Sequence, residues 1–327
     1  MRRRATQIAW PPASAPARLA LRERARRPRV GIPPPGFSGA ARQCTQKNCG
    51  VACLRVRDPA QCGAQPLSQA NTWSQHRYRV QSSVAVTPVI RELWLMPVRE
   101  QIIFRAGQYV LLSDVDWRVP QRSYSVANAP RADGAISILV TRVQGGPTST
   151  WSHALETGDE VLLEGPFGTF MSAADRRGPA LLLGAGSGLA PVRALAEDLI
   201  EREPRRPITL FFSCRTRADL IDHERFQGWQ RERTDFRYLH TLTRDPSAPL
   251  HARIPALLAD CVGRDLAGWE VFTSGPSGFV VGCSSAAQAL GALATDIHTE
   301  EFFTDPQPWL GDMPPVPAGR STMQETS

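Results

Sequence analysis

Seven consecutive residues, Arg122-Ser123-Tyr124-Ser125-Val126-Ala127-Asn128, put a guanidinium, an aromatic ring and three hydroxyls into one short stretch. Arg donates charge-assisted hydrogen bonds to phosphate. Tyr offers a ring face ending in a hydroxyl, and Ser a small donor beside it. A planar ring with a diphosphate tail needs groups of these kinds, although an ordinary strand with one surface Arg reads the same way. Two neighbouring segments favour the first reading. Gly145-Gly146-Pro147-Thr148-Ser149-Thr150 opens a helix expected around Thr150–Glu156. Its backbone N–H groups and its N-terminal end favour an anion. Glu164-Gly165-Pro166-Phe167-Gly168 then ends a strand in a tight turn.

A second set of residues has the chemistry of a nucleotide cradle. Leu181-Leu182-Leu183 runs straight into Gly184-Ala185-Gly186-Ser187-Gly188-Leu189-Ala190-Pro191, an apolar strand, a Gly-rich turn and a helix start. Pro191 suits a first helical turn, where no N–H is required. The spacing differs from the G-x-G-x-x-G dinucleotide fingerprint, and a purely structural turn remains an alternative. Ligands of such sheets lie beyond the carboxyl ends of the strands. There the sequence places Ser213, Cys214, Arg215 and Thr216, then Thr243 and Arg244, then Ser274-Gly275-Pro276-Ser277-Gly278-Phe279. Arg215 and Arg244 suit a ribose or phosphate, with a solvated surface role equally open. His298-Thr299-Glu300-Glu301-Phe302-Phe303 supplies carboxylates and rings, or else a plain edge strand.

Cys44, Cys49, Cys53 and Cys62 form a third cluster, spaced by four, three and eight residues. Plant-type 2Fe–2S proteins use C-x4-C-x2-C with a distant fourth Cys, because four thiolates must converge on one cluster. The first gap matches and the second is one residue too long. A zinc knuckle is poorly matched.

The elements that must position these groups follow from pattern. Residues 1–43 hold ten Arg, seven Pro and a single acidic residue, so they are expected to stay disordered. They carry more positive charge than the net +7 of the whole chain, leaving the remainder slightly negative, so nucleic-acid binding does not follow from the basic balance. Residues 44–77 show no strand or helix pattern. From Tyr78 on, runs at Tyr78–Val86, Val89–Val98, Tyr109–Leu112, Ile136–Val143 and Glu160–Glu164 predict short antiparallel strands of a small barrel. From Gly178 on, strands at 180–183, 208–212, 236–239, 270–273 and 297–300 alternate with helices at 190–201, 219–230, 252–261 and 278–293. That alternation predicts a doubly wound parallel sheet. Residues 306–327 read as a loose tail. The seven Cys are not a secreted framework, no apolar run is long enough to span a membrane, and no leader-type apolar segment follows Met1-Arg2-Arg3-Arg4. A cytoplasmic setting is the expectation.

Taken in order, these motifs resemble the ferredoxin-NADP reductase superfamily, and within it the reductase components of bacterial oxygenases such as phenol and benzoate oxygenases, together with deoxysugar reductases. The resemblance spans residues 78–305. It implies an FAD-binding barrel over 78–175 and an NAD(P)-binding α/β domain over 176–305. It implies that Arg122 and Ser149 hold the diphosphate, with Gly146 and Thr150 beside them, and that Tyr124 lies against the isoalloxazine with Ser123 and Ser125 as donors. Gly184, Gly186, Gly188 and Pro191 fall on its nucleotide turn, and Gly275 and Pro276 on its nicotinamide-facing turn. Ser274 stands where that family has Cys, which predicts a slower hydride step. Glu301 is expected to relay a proton and Phe302 to cover the flavin. Gln61–Ser68 resembles the segment around a fourth cluster ligand, making residues 44–77 a degenerate, truncated or misread ferredoxin domain. The implied activity is hydride transfer from NAD(P)H to FAD, then single electrons to a 2Fe–2S cluster and an oxygenase-type partner. Two alternatives remain, a stand-alone NAD(P)H oxidase or flavin reductase, and a non-enzymatic nucleotide-binding scaffold. Arg215, Arg217 and Arg244 leave the choice between NADH and NADPH open.

Overall fold

The computed structural model describes residues 75–302 apart from 174, 175 and 177. The Cys44–Cys62 cluster, the Arg-rich segment and the tail lie outside the described residues. Six antiparallel strands come first: β1 (Gln75–Ala85), β2 (Ile90–Pro97), β3 (Tyr109–Asp114), β4 (Arg122–Ser125), β5 (Ile136–Thr141) and β6 (Glu160–Phe167). Helix α1 (Pro147–Ala154) crosses between β5 and β6. The sheet order is β4-β3-β6-β1-β2-β5, and an antiparallel bridge between Val126 and Ile138 joins its two ends into a barrel. Alternation sets the inner face. Tyr78 and Val80 are buried on β1 while Arg77 and Arg79 point out and pair with Glu160 at 3.2 and 2.8 Å. α1 starts at Pro147, earlier than the apolar pattern suggested, because Pro fits the first helical position.

The second half is a parallel sheet of β7 (Ala180–Ala185), β8 (Ile208–Cys214), β9 (Phe236–Leu242), β10 (Glu270–Pro276) and β11 (Ile297–Phe302), in the order β11-β10-β7-β8-β9. Helices α2 (Leu189–Arg202) and α3 (His223–Glu232) pack on one face, and α4 (Ile254–Cys261) and α5 (Ser277–Ala289) on the other. With both faces covered, β8 is buried along its whole length, as its unbroken apolar run requires. α3 begins at His223 instead of 219. Thr216 and Asp219 close a capping box on a single 3-10 turn, and Asp222 then takes a left-handed conformation that no continuous helix can contain. Ile90, Ala127 and Leu139 of the barrel share a core with Leu189, Val192 and Leu195 of α2, so the two halves pack as one body. Among the described residues no helix is long and apolar enough to cross a membrane.

The segment linking the halves is anchored at the amino end of β10. The fully buried Glu270 accepts from Arg206 and Ser172 at 2.7 Å each, and His298 lies 3.2 Å away. Burial pushes the Glu270 carboxyl up, but the bonds from His298, Ser172 and Arg206 outweigh it and hold the group at about 2, against an ordinary 4.5. Its folded value is depressed, so its stabilisation is complete above about pH 4.5 and disappears as pH falls toward 2. Urea unfolding of the wild type is expected to lose on the order of 3 kcal/mol over that window, while Glu270→Gln loses its share already at pH 7. Equal acid sensitivity in the two proteins would overturn this.

Candidate functional site

The order of the parallel sheet reverses between β7 and β10, where Gly184 pairs with Ser274. Chains leaving these two strands turn apart there and open a crevice at their carboxyl ends. A cavity of about 420 Å³ occupies it. Its walls include Gly186 and Ser187 of the Gly-rich turn, Arg215 and Thr243 beyond β8 and β9, Pro276 at the end of β10 and Phe279 in α5. The barrel completes it with Val89, Ile90 and Thr141, and the Thr141 hydroxyl donates to Ser187 at 2.8 Å. Phe302 also faces this space.

Gly188 explains how the turn comes so close to β10. A Cβ there would lie 2.3 Å from the Ser274 carbonyl oxygen and 2.8 Å from Gly275 Cα, both backbone atoms. Ser274 itself is fully buried, and its hydroxyl has no hydrogen-bond partner. A buried hydroxyl without a partner costs about 1–3 kcal/mol, so this atom fits a site completed by a polar ligand. Gly184 is buried under α2, Pro191 lies in the first turn of that helix, and Gly275 lines the junction with Ala185.

On the barrel side, Arg122 and Ser123 are exposed at the start of β4, and the Arg122 guanidinium donates only to the neighbouring Gln121 carbonyl, at 2.9 Å. Tyr124 is half-buried. Burial pushes its hydroxyl up to about 12, partly offset by a hydrogen bond with Ser152 of α1, so it stays protonated. The same helix is tied to the loop before β4 by Thr148, which donates to the Pro120 carbonyl at 2.5 Å. The N-terminal end of α1 carries no side-chain cap and no acidic residue in its first turn. An uncapped helix end and an exposed guanidinium that bonds only its neighbouring carbonyl are fitting groups for a diphosphate. Ser149 is otherwise engaged: its hydroxyl accepts from the Val143 N–H at 3.1 Å and donates to the Gly146 carbonyl at 3.1 Å. A Cβ on Gly146 would come within 2.9 Å of that hydroxyl, so Gly146 makes room for the loop clasp. Thr150 is exposed.

The two halves meet chemically at Ser125, whose hydroxyl donates to Glu300 of β11. Burial pushes the Glu300 carboxyl up to about 7, with the Ser125 bond pulling the other way. The sequence points to Glu301 at this place, but Glu301 is exposed on the opposite face of β11. Successive residues of a strand face opposite sides, so the carboxylate sharing a face with Phe302 is Glu300. Arg244 likewise stays on the surface, while Arg253 and Asp219 line the cavity in addition to Arg215. Asp219 accepts from the Thr216 N–H and hydroxyl at 2.9 and 2.8 Å. Cys214, Cys261 and Cys283 are free thiols, and no group of three or more His, Cys, Asp or Glu among the described residues is placed to hold a metal ion.

Two family models match the chain, an oxidoreductase FAD-binding domain over residues 80–171 and an oxidoreductase NAD-binding domain over 182–284. Reductase component 2 of terephthalate 1,2-dioxygenase from Comamonas sp is 33% identical over 232 residues, covering 70% of this chain and 68% of that protein. The reductase subunit of an aromatic O-demethylase from Amycolatopsis sp. (strain ATCC 39116 / 75iv2) is 34% identical over 216 residues, covering 64% of each. Among solved structures, the Amycolatopsis cytochrome P450 reductase GcoB superimposes with a TM-score of 0.65 at 30% identity over 70% of each chain.

Proposed function

Since the chain belongs to the family of FAD- and NAD-binding oxidoreductases that includes oxygenase reductase components, we propose that it supplies electrons from NAD(P)H to an oxygenase-type partner, directly or through an iron–sulfur centre. The chain is an NAD(P)H-dependent FAD oxidoreductase. The observation that best supports the wider reading is a cavity at the switch point of the parallel sheet whose far wall is the barrel, with the Ser125–Glu300 contact also joining the two halves. FAD, when bound, takes up two electrons together from a nicotinamide and releases them singly.

In this reading Arg122 and the open end of α1 hold the diphosphate, and Tyr124 presents a ring that stays neutral at working pH. The turn from Gly184 to Pro191 and Arg215 hold the nucleotide phosphates. Gly188 lets the turn approach β10 at Ser274, the residue that would stand nearest the nicotinamide. Glu300 holds a proton near neutrality and exchanges it through the Ser125 hydroxyl. Phe302 and the barrel wall at Ile90 and Thr141 exclude water from the junction.

The deciding experiment is a visible spectrum of the FAD-reconstituted chain, recorded without oxygen before and after NADH or NADPH. Bleaching within seconds, followed by recovery on adding a one-electron acceptor, is expected. A yellow protein that neither nucleotide bleaches would overturn the reading. Iron and sulfide content then separates a cluster-bearing reductase from a stand-alone oxidase.

Arg122 gives a further measurable consequence. A charge-assisted bond to phosphate contributes about 2 kcal/mol, so Arg122→Ala is expected to weaken FAD binding roughly thirtyfold. Fluorescence titration of the FAD-free protein measures this directly, and a change under threefold would remove Arg122 from the site.

A further inference from the structure

Among the described residues, the largest fully buried side chain is a cation. Arg193 lies in α2, five residues beyond Gly188, with 1% of its surface exposed. Each part of its guanidinium reaches a different element. Its Nε donates to the Ala127 carbonyl at 2.5 Å, just after the Arg122–Ser125 strand. One terminal nitrogen donates to Glu92 of β2 at 2.6 Å and to the Ser137 hydroxyl of β5 at 3.0 Å. The other donates to Asp222 at 2.6 Å, in the segment joining β8 to α3. Around this hub the barrel segment 127–129 is held from both sides. Asn128 accepts from the Ser137 N–H at 2.6 Å, and the Ala129 N–H donates to Glu197 of α2 at 2.9 Å. Glu197 is in turn paired with Arg225 of α3 at 2.9 Å.

Two features separate this hub from ordinary interior packing. Asp222 adopts a φ of 52°, a left-handed conformation that is uncommon for a residue with a side chain and that Asp tolerates better than most. The Arg193 ion pair is the bond its carboxylate makes there. The hub also joins three segments that the reaction must keep in register: the helix opening on the nucleotide turn, the backbone following the flavin-motif strand, and the β8–α3 segment beside the cavity-lining Asp219. A planar fork with fixed donor directions transmits orientation in a way that a single ammonium cannot.

We infer that Arg193 is a positioning residue, which sets the distance and tilt between the nucleotide turn and the Arg122–Ser125 strand by bonding to Glu92, Ala127, Ser137 and Asp222 together. The inference rests on the proposed reductase function. Arg193 is not among the residues that line the cavity, so it acts on the alignment of the reacting partners and not on nucleotide affinity. Misalignment by about 1 Å in such a site lowers rate on the order of a hundredfold.

The test compares wild type, Arg193→Lys and Glu92→Gln. Arg193→Lys keeps the charge and removes the fork. Glu92→Gln is a milder change on the barrel side and serves if the Lys variant folds poorly. Steady-state turnover with NADH and ferricyanide is expected to show kcat reduced at least thirtyfold in Arg193→Lys and about fivefold in Glu92→Gln, with KM within threefold of wild type in both. In the cofactor-free chain, hydrogen exchange at the amides of residues 127, 129 and 137 is expected to rise about tenfold, with α4 and α5 unchanged. Unaltered kcat in both variants, a loss confined to KM, or exchange raised uniformly through the molecule would each overturn the inference. If wild type itself is not bleached by NADH or NADPH, the reductase reading fails first. If wild type is bleached and the variants match it, only the role of Arg193 fails.

Discussion

Gly188→Ala is expected to reduce NADH turnover at least a hundredfold while leaving FAD content intact. The added Cβ would stand 2.3 Å from the Ser274 carbonyl oxygen, 2.6 Å from its carbonyl carbon and 2.8 Å from Gly275 Cα. All three are backbone atoms, so no rotamer relieves the contact and one of the two segments must move. α2 cannot retreat easily, because its first turns are buried along Leu189, Ala190 and Val192, and Arg193 is bonded across to the barrel. The carboxyl end of β10 is held by pairing to β7 and β11 on either side. The clash therefore falls on the junction of the Gly-rich turn with Ser274, where the nicotinamide is proposed to react. Overpacking of this kind costs about 1–3 kcal/mol, and displacement by about 1 Å reduces rate on the order of a hundredfold. The thermal midpoint should drop by about 5 °C. Residue 188 belongs to neither the barrel strand at Arg122–Ser125 nor α1, so the amount of FAD bound provides an internal control. A variant that turns over within threefold of wild type would show that the turn and β10 need not meet for the reaction.

Much of this architecture can be read from local pattern. The Leu181–Leu183 run into Gly184 requires a buried strand and a sharp turn, and the alternation at Tyr78–Val80 orients a barrel wall without tertiary knowledge. What stays hidden depends on contacts between distant segments. Arg193 has the spacing of any helix-surface Arg, and its partners Glu92, Ala127 and Ser137 belong to a different half of the chain. Ser149 carries the motif position for a phosphate contact, but a local competitor, the Val143 N–H, takes its hydroxyl. The choice between Glu300 and Glu301 is a question of strand parity. His298-Thr299-Glu300-Glu301 contains no apolar residue to mark the inner face. Ile297 and Phe302 flank this stretch on opposite faces, Ile297 with Glu301 and Phe302 with Glu300, so the apolar pattern alone does not say which carboxylate turns toward the barrel.

That parity makes Glu300→Gln the second large effect. The Glu300 carboxyl is pushed up to about 7 by burial, against an ordinary 4.5, with the Ser125 hydroxyl bond acting in the opposite sense. Between those values the folded protein keeps a proton that the unfolded chain has lost. Stability therefore falls as pH rises from about 4.5 to about 7, and the full penalty remains above that. Gln cannot ionise, so Glu300→Gln should be more stable than wild type at pH 8, on the order of 2 kcal/mol in urea unfolding, and indistinguishable from it at pH 4. Activity should move the other way. Hydride arrival brings negative charge to the junction, so a neutral acid beside it is favoured over a carboxylate, and the wild-type rate should be level below pH 7 and fall above it. Removing a positioned proton donor costs about a hundredfold or more in comparable sites. The Gln variant should accordingly be slow and flat across pH 5.5 to 9, whereas Glu301→Gln, altered on the exposed face, should retain both the rate and the inflection of wild type. An inflection near neutrality surviving in Glu300→Gln, or vanishing in Glu301→Gln, would move the proton-holding role off Glu300 and back across the strand.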